Sequence, residues 1–309
     1  MAVHWTLKQL RIVALAAASG SYAKAAQELN LSPPAVTAQM KALEEALGVP
    51  VFERIAGRLR PTAAGKELVA ASQRVFQALG EAERAISALK SPDAGAVVVG
   101  VVSTAKYFAP MALAAFRRRH PGIELKLVIG NRAEIISGLA CLDLDLAVMG
   151  RPPADLDAEM EVIGDHPHVI IAPTDHRLVG RRLSPTDLAR EPFLMREEGS
   201  GTRILMARVF EEAGAPAPPI AMEIGSNETI KQAVMAGLGV SFISAHTVAA
   251  EVADGRLAVL EVAGLPVIRQ WLVVRAREKR LLPAGRALQA FLAEEGQAFL
   301  PRMRPGPKT

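Results

Sequence analysis

Cysteine is almost missing from these 309 residues: Cys141 stands alone, so no internal disulfide framework can staple the fold. A reducing compartment, the cytoplasm, is expected. Long apolar runs are missing too. Half the residues are hydrophobic, yet no stretch reaches the roughly 20 residues of a membrane span. The opening MAVHWTLKQLRIVALAAASG carries Lys8, Gln9 and Arg11 within its apolar part and lacks a leader's cleavage site. Catalytic equipment is equally scarce. His166 and His168 flank a proline, but no further ligand follows at metal-binding spacing. Gly199-Ser200-Gly201-Thr202 lacks the lysine of a phosphate-binding loop and a matching strand before it. Cys141, beside Leu142, reads as a packed thiol, and Asp143 and Asp145 flank a strand start. No enzyme, no metal, no cofactor and no membrane partner is expected. The length allows two or three domains with proper cores.

Charge is unevenly placed. Residues 1–90 hold 11 Lys+Arg against 7 Asp+Glu, while the remainder holds 25 of each, so the whole excess of +4 lies in the first third. A polyanion would be drawn there. That third reads as short capped helices. Thr6 and Gln9 suit a capping box before an apolar stripe of Leu10, Val13, Ala14 and Ala17, ended by Gly20. Ser21 caps a second helix from Tyr22 to Leu29, and Asn30 supplies the turn. Ser32 caps a third, with Pro33 at the first position, where its missing amide costs nothing.

Val36, Met40, Leu43 and Leu47 give the third helix a core stripe, ended by Gly48. The opposite face carries Pro34, Ala35, Thr37, Ala38 and Lys41, with Gln39 on its flank. Small residues at a helix start let its backbone enter a DNA major groove, and Thr37 suits a base edge or a thymine methyl. Ser21, Tyr22, Lys24 and Ser32 count among the expected DNA-binding residues as well. Val51 to Arg54 and Gly57 to Arg60 alternate like two strands of a wing, whose Arg54, Arg58 and Arg60 suit phosphates. The alternative is a small three-helix interaction module with a solvated face.

From Thr62 a helical pattern runs to Leu89. Leu68, Val75, Ala82 and Leu89 recur every seven residues, with Ser72, Leu79 and Ile86 between them. A heptad seam wants a partner helix, most simply from a second copy of the chain. Packing on the chain's own C-terminal part is the alternative. At 1.5 Å per residue the segment spans about 42 Å, enough to hold a DNA head away from the body. Ser91-Pro92-Asp93-Ala94-Gly95 then breaks the helix.

Residues 96–309 alternate strands and helices. Val97 to Val102 is a continuous apolar strand of the parallel-sheet kind. A helix from Pro110 to Arg119, a strand from Glu124 to Ile129, a helix from Ala133 and a strand from Asp145 to Met149 follow. A second set comprises strand Val169–Ala172, helix Thr202–Ala213, helix Asn227–Ala236 and strand Val240–Ile243. Gln270 to Arg275 looks like a returning strand, and a helix near Ala284 to Glu295 closes the set.

The sequence resembles the LysR-type transcriptional regulators. The resemblance rests on AAQELNLSPPAVTAQMKALEEALGVPVFER, on the PTAAG opening of the long helix, and on the α/β region behind it; it covers the whole chain. VVSTAKYFAPMALAAFRRRHP, IGDHPHVIIAP and MEIGSNETIKQAVMAGLGVSFISAHT are similar to the branch that controls Calvin-cycle (RuBisCO) operons. The α/β class then takes a definite form. It implies a winged helix-turn-helix over 1–61, a dimerising linker helix over 62–90, and a two-lobed, periplasmic-binding-protein-like effector domain over 91–309. Lobe I would hold 95–167 and 270–309, lobe II 168–269. Double-stranded operator DNA, a homodimer or homotetramer, and RNA polymerase are the implied partners. A phosphorylated sugar or NADPH is the implied effector. Many relatives carry Gln where Pro33 stands and a larger polar residue where Ala38 stands, so base reading falls here on Thr37, Lys41 and Gln39.

In a two-lobed α/β fold, ligands sit at strand ends and helix N-termini, where free amides favour anions. Ser103 and Thr104 follow the first strand; Ser200, Gly201, Thr202 and Arg203 open one helix; Ser226, Asn227, Glu228 and Thr229 open another. Lys106, Asn131, Arg132, Arg151 and Arg196 could close on a phosphate or carboxylate, with His168 at the hinge. The alternatives are plain capping for the hydroxyls and surface ion pairs for the arginines. Two other readings remain, a LysR-type regulator of another operon and a two-lobed small-molecule binding protein without DNA function. The second would be expected to carry a leader and no basic head.

Overall fold

The computed structural model describes residues 5–55, 58–90 and 95–302. It divides into two compact units, the first ending at Arg84 and the second beginning at Ala85.

The first unit is built by its caps. Thr6 and Gln9 form the reciprocal box that opens α1 (Leu7–Ser19), and Gly20 closes it at φ 65°. Ser21 accepts the Lys24 amide at the start of α2 (Tyr22–Glu28), and Asn30 turns the chain at φ 53°. Ser32 accepts the Ala35 amide to open α3 (Pro33–Leu47), closed by Gly48 at φ 70°. Val36, Met40 and Leu43 are buried as their spacing requires, and Leu47 packs at the margin. On α1 the buried apolar set is Leu10, Ile12, Val13 and Ala16. This differs from the expected Leu10, Val13, Ala14 and Ala17 because α1 packs against both α2 and α3, which a single stripe cannot serve.

Strands β1 (Phe52–Ile55) and β2 (Arg58–Pro61) pair antiparallel as the wing. Thr62 then ties the wing to the long helix α4 (Ala63–Lys90). Its hydroxyl donates to the Pro50 carbonyl at 2.7 Å and accepts the Gly65 amide at 3.1 Å. A Cβ on Gly65 would stand 2.0 Å from the Val51 carbonyl oxygen, so only glycine lets the helix start this close. Along α4, Leu68 and Ser72 are buried within the first unit, whereas Leu79 and Ile86 are exposed at 42% and 56%.

The second unit begins with β3 (Gly95–Val102), α5 (Ala109–Arg119), β4 (Ile123–Gly130), α6 (Arg132–Ala140) and β5 (Leu146–Met149). β3 lies between β4 and β5, parallel to both. There follow β6 (Ala158–Ala172), β7 (Arg182–Leu183), β8 (Phe193–Arg196), α7 (Gly201–Glu212), β9 (Ile220–Ile224) and α8 (Asn227–Met235). The chain ends with β10 (Ser241–Ser244), α9 (Ala245–Ala253), β11 (Ala258–Val259), β12 (Glu261–Val262), β13 (Val267–Ala276) and α10 (Pro283–Glu295).

One sheet runs β10-β6-β13-β5-β3-β4 and therefore joins the apolar centres of the unit, among them the following two. One centre gathers Val99, Phe116, Leu146 and Leu288; the other gathers Ile170, Phe193, Phe210 and Phe242. The connection is the antiparallel pair β6 and β13, registered from Ala158 against Ala276 to His168 against Val267. The expected strands Val169–Ala172 and Gln270–Arg275 are thus parts of longer crossing strands. Their remainders carry no buried-strand pattern, because Met160, Val162 and Ile268 are exposed. The pair β8–β9 and the helix α9 are additions.

Candidate functional sites: nucleic-acid interface and ligand cleft

On α3, Pro34, Ala35, Thr37, Ala38 and Lys41 are exposed and Gln39 is half-buried, opposite the packed stripe. Pro33 and Ala38 offer no side-chain hydrogen bond. The Thr37 hydroxyl donates to the Pro33 carbonyl at 3.0 Å, so it presents acceptor lone pairs and a methyl outward. That suits a cytosine or adenine amine, or a thymine methyl. Lys41 lies 3.8 Å from Glu45, but both are exposed and the pair holds the lysine weakly.

Ser21 and Ser32 use their oxygens as caps. Lys24 is exposed. Tyr22 packs edge-on against Phe52 at 5.7 Å, and burial together with Glu44 pushes its phenol up to about 12, which keeps it a donor. Glu44 also braces the wing by accepting the Val51 amide at 2.7 Å and the Phe52 amide at 3.2 Å. The three wing arginines do not form one surface. Cross-strand partners share a face. Arg54 pairs with buried Leu59, whereas Arg58 and Arg60 pair with Ile55 and Glu53 on the other face.

Between the two lobes of the second unit lies a cavity of about 160 Å³. Ser103 and Thr104 reach it from the end of β3, Asn131 and Arg132 from the start of α6, and Arg151 from beyond β5. His168 comes from β6, Arg196 from β8, and Ser200, Gly201 and Thr202 from the start of α7. His166, Arg208 and Arg269 also line it and were not among the expected ligand residues. Arg269 sits on β13 opposite His166, a neighbour set only by pairing across about a hundred residues of sequence.

Charge decides what this cavity accepts. Its lining holds Arg132, Arg151, Arg196, Arg208 and Arg269 and no carboxylate. Burial lowers the pKa of Arg132, a cost that a bound anion would offset. Gly199 and Gly201 bring the two helix starts together: a Cβ on either would stand 3.2 Å from Ala133 or Arg132. Gly199 also needs its φ of +82°. Convergent amide ends, with the Arg132, Arg151, Arg208 and Arg269 guanidiniums that form no ion pair among the described residues, suit a carboxylate or phosphate.

Arg196 works differently from the expectation. It is buried and meets both oxygens of Glu197 at 2.7 Å, so its charge is already matched. It also donates to Ser103 at 3.2 Å and to the Asn227 side chain, which ties the two lobes behind the cavity.

Six expected residues do not line the cavity. Lys106 lies 3.6 Å from Glu228, which also accepts from Tyr107 and sits 2.9 Å from Lys231. Arg203 pairs with Glu223 and donates to the Arg196 carbonyl. Ser226 accepts the Thr229 amide at 3.3 Å as a cap, and Asn227 accepts from Arg196. Lys106 and Arg203 are drawn to neighbouring carboxylates, Glu228 to cations and a phenol, Asn227 to the Arg196 guanidinium, and Ser226 to the Thr229 amide, so the start of α8 belongs to an interlobe polar network beside the cavity.

At the crossing strands the histidines stack. His166 lies face to face with Trp271 at 3.7 Å, and Trp271 donates to His246 at 3.0 Å. His166 meets the Ser244 hydroxyl at 3.0 Å, and His168 Nδ1 meets the His166 carbonyl at 3.2 Å. Burial holds His168 and His246 down to about 4 and His166 well below its ordinary value. All are neutral near pH 7, so His168 is not one of the site's cations.

Two family models match the chain: the bacterial regulatory helix-turn-helix protein, lysR family, over residues 7–66, and the LysR substrate binding domain over residues 90–297. The HTH-type transcriptional regulator CbbR of Xanthobacter flavus is 74% identical over 308 residues, covering 99% of this chain and 92% of the relative. A RuBisCO operon transcriptional regulator of Allochromatium vinosum is 43% identical over 294 residues, covering 95% and 97%. Full-length CbnR, solved in complex with its target DNA, superposes with a TM-score of 0.70 at 25% identity, covering 93% of this chain and 99% of that one.

Proposed function

Because this chain belongs to the LysR family of bacterial transcriptional regulators, we propose that it controls a RuBisCO operon in response to a small anionic metabolite. It is a DNA-binding regulator and not an enzyme. The observation that carries the reading is the exposed start of α3, where small residues and Thr37 face away from the packed stripe. The operon follows from the likeness to regulators of that name over nearly the whole chain.

The arginine-lined cavity supports an anion as effector. Such a ligand acts only by binding one arrangement of the two lobes better than another. Phosphorylated sugars fit this chemistry directly, and NADPH would bring its phosphates to the same arginines. The exposed Leu79 and Ile86 of α4 support a homodimer, and a homotetramer and contact with RNA polymerase belong to the same reading. No helix among the described residues is long and apolar enough to cross a membrane, and we place the protein in the cytoplasm. The test is a gel-shift titration with the promoter region upstream of the RuBisCO genes in the same genome. Binding tighter than to scrambled DNA by 10³-fold or more is expected. Equal affinity for both would overturn the operon assignment.

A further inference from the structure

The cavity contains a group that anions do not satisfy. His168 is only 3% exposed and lines the cavity. Its Nδ1 faces the His166 carbonyl at 3.2 Å, and a carbonyl oxygen only accepts. Nδ1 therefore carries the ring proton, which leaves Nε2 with a bare lone pair. Among the described residues no hydrogen bond or ion pair engages that nitrogen. Burial keeps the ring neutral near pH 7, so it cannot switch to a donor there. The guanidiniums, Ser103, Thr104, Ser200 and Thr202 around the cavity all donate or can rotate to donate. His168 is fixed by its neighbour as an acceptor.

We propose that His168 selects for a hydroxylated anion: the guanidiniums and helix starts take the phosphate or carboxylate, while His168 Nε2 accepts a hydrogen bond from a ligand hydroxyl. This rests on the anion-cavity reading above and narrows its ligand class to short hydroxy acids and sugar phosphates. A cavity of about 160 Å³ favours a body of a few carbons over a drug-sized one. Fully ionised anions that lack a hydroxyl would cover Nε2 without pairing it, and desolvating an unpaired acceptor weakens binding. A site built to hydrogen-bond a hydroxyl rejects the analogue lacking it far more strongly than an apolar site rejects a missing methylene.

The experiment uses the full chain and three probes in isothermal titration calorimetry at pH 7.5. These are 3-phosphoglycerate, its deoxy counterpart 3-phosphooxypropanoate, and inorganic phosphate. Wild-type protein is expected to bind 3-phosphoglycerate at least about tenfold more tightly than the deoxy compound. In His168→Phe, which keeps a ring beside Phe242, the two are expected to bind equally. His168→Gln, which restores an acceptor oxygen, is expected to recover part of the preference. Equal binding of the two acids by wild-type protein overturns the proposal without any variant. So does a preference that survives in His168→Phe, because another group then reads the hydroxyl. If none of the three probes binds, the anion-cavity reading fails first and this inference falls with it.

Discussion

At the residue scale, the DNA-facing surface rests on few side chains. Thr37→Ala removes both the outward lone pairs and the methyl, and is expected to cost about 1–3 kcal/mol on cognate operator and little on scrambled DNA. Arg58→Ala is expected to weaken both alike and to reduce the salt slope by about one. Gel-shift titrations across salt concentration check the pair, and equal losses for Thr37→Ala on both DNAs would remove it as a base reader. Gly65 offers a sharper conflict of magnitudes. In an exposed helix, Gly→Ala gains about 1 kcal/mol of propensity. Here the new Cβ would meet the Val51 carbonyl at 2.0 Å, and overpacking costs about 1–3 kcal/mol or more. Gly65→Ala is therefore expected to lower the melting temperature, and a rise would show that the wing yields without cost.

At the element scale, the caps were legible because each is a local contract between a side chain and an amide three residues on. Thr6, Ser21, Ser32 and Asn30 all act where their positions in sequence place them. The width of the α1 face was not legible, since Ile12 and Ala16 are buried by two neighbours at once. The helix α4 leaves Leu79 and Ile86 exposed at heptad positions. Burying a leucine of this kind contributes about 1.5–3 kcal/mol. Replacing Leu79 with Glu is expected to shift the chain toward monomer in sedimentation-velocity runs. An unchanged sedimentation coefficient across dilution would move the dimer contact elsewhere.

At the scale of the whole molecule, the crossing strands β6 and β13 concentrate three buried neutral histidines. Their pKa values are lower in the folded chain than the ordinary value of about 6.5 in an unfolded one. The unfolded state then binds more protons below that value. Stability from this source is complete above about pH 6.5 and is lost as pH falls toward about 4. The melting temperature of the full chain is expected to drop across that window, and less steeply in His246→Phe. A flat profile between those pH values would show that the histidines titrate freely. The sequence by itself determined the helical head, its core stripe of Val36, Met40 and Leu43, and the supply of helix starts rich in hydroxyls and arginines. These are signals written within one or two helical turns. Only the tertiary structure decided which starts face one another. It brought Arg269 beside His166 across a strand pair, put the start of α8 to work on Lys106 and Lys231, and fixed the proton of His168 on one nitrogen. Those outcomes depend on distances between residues far apart in the chain, and local spacing carries no information about them.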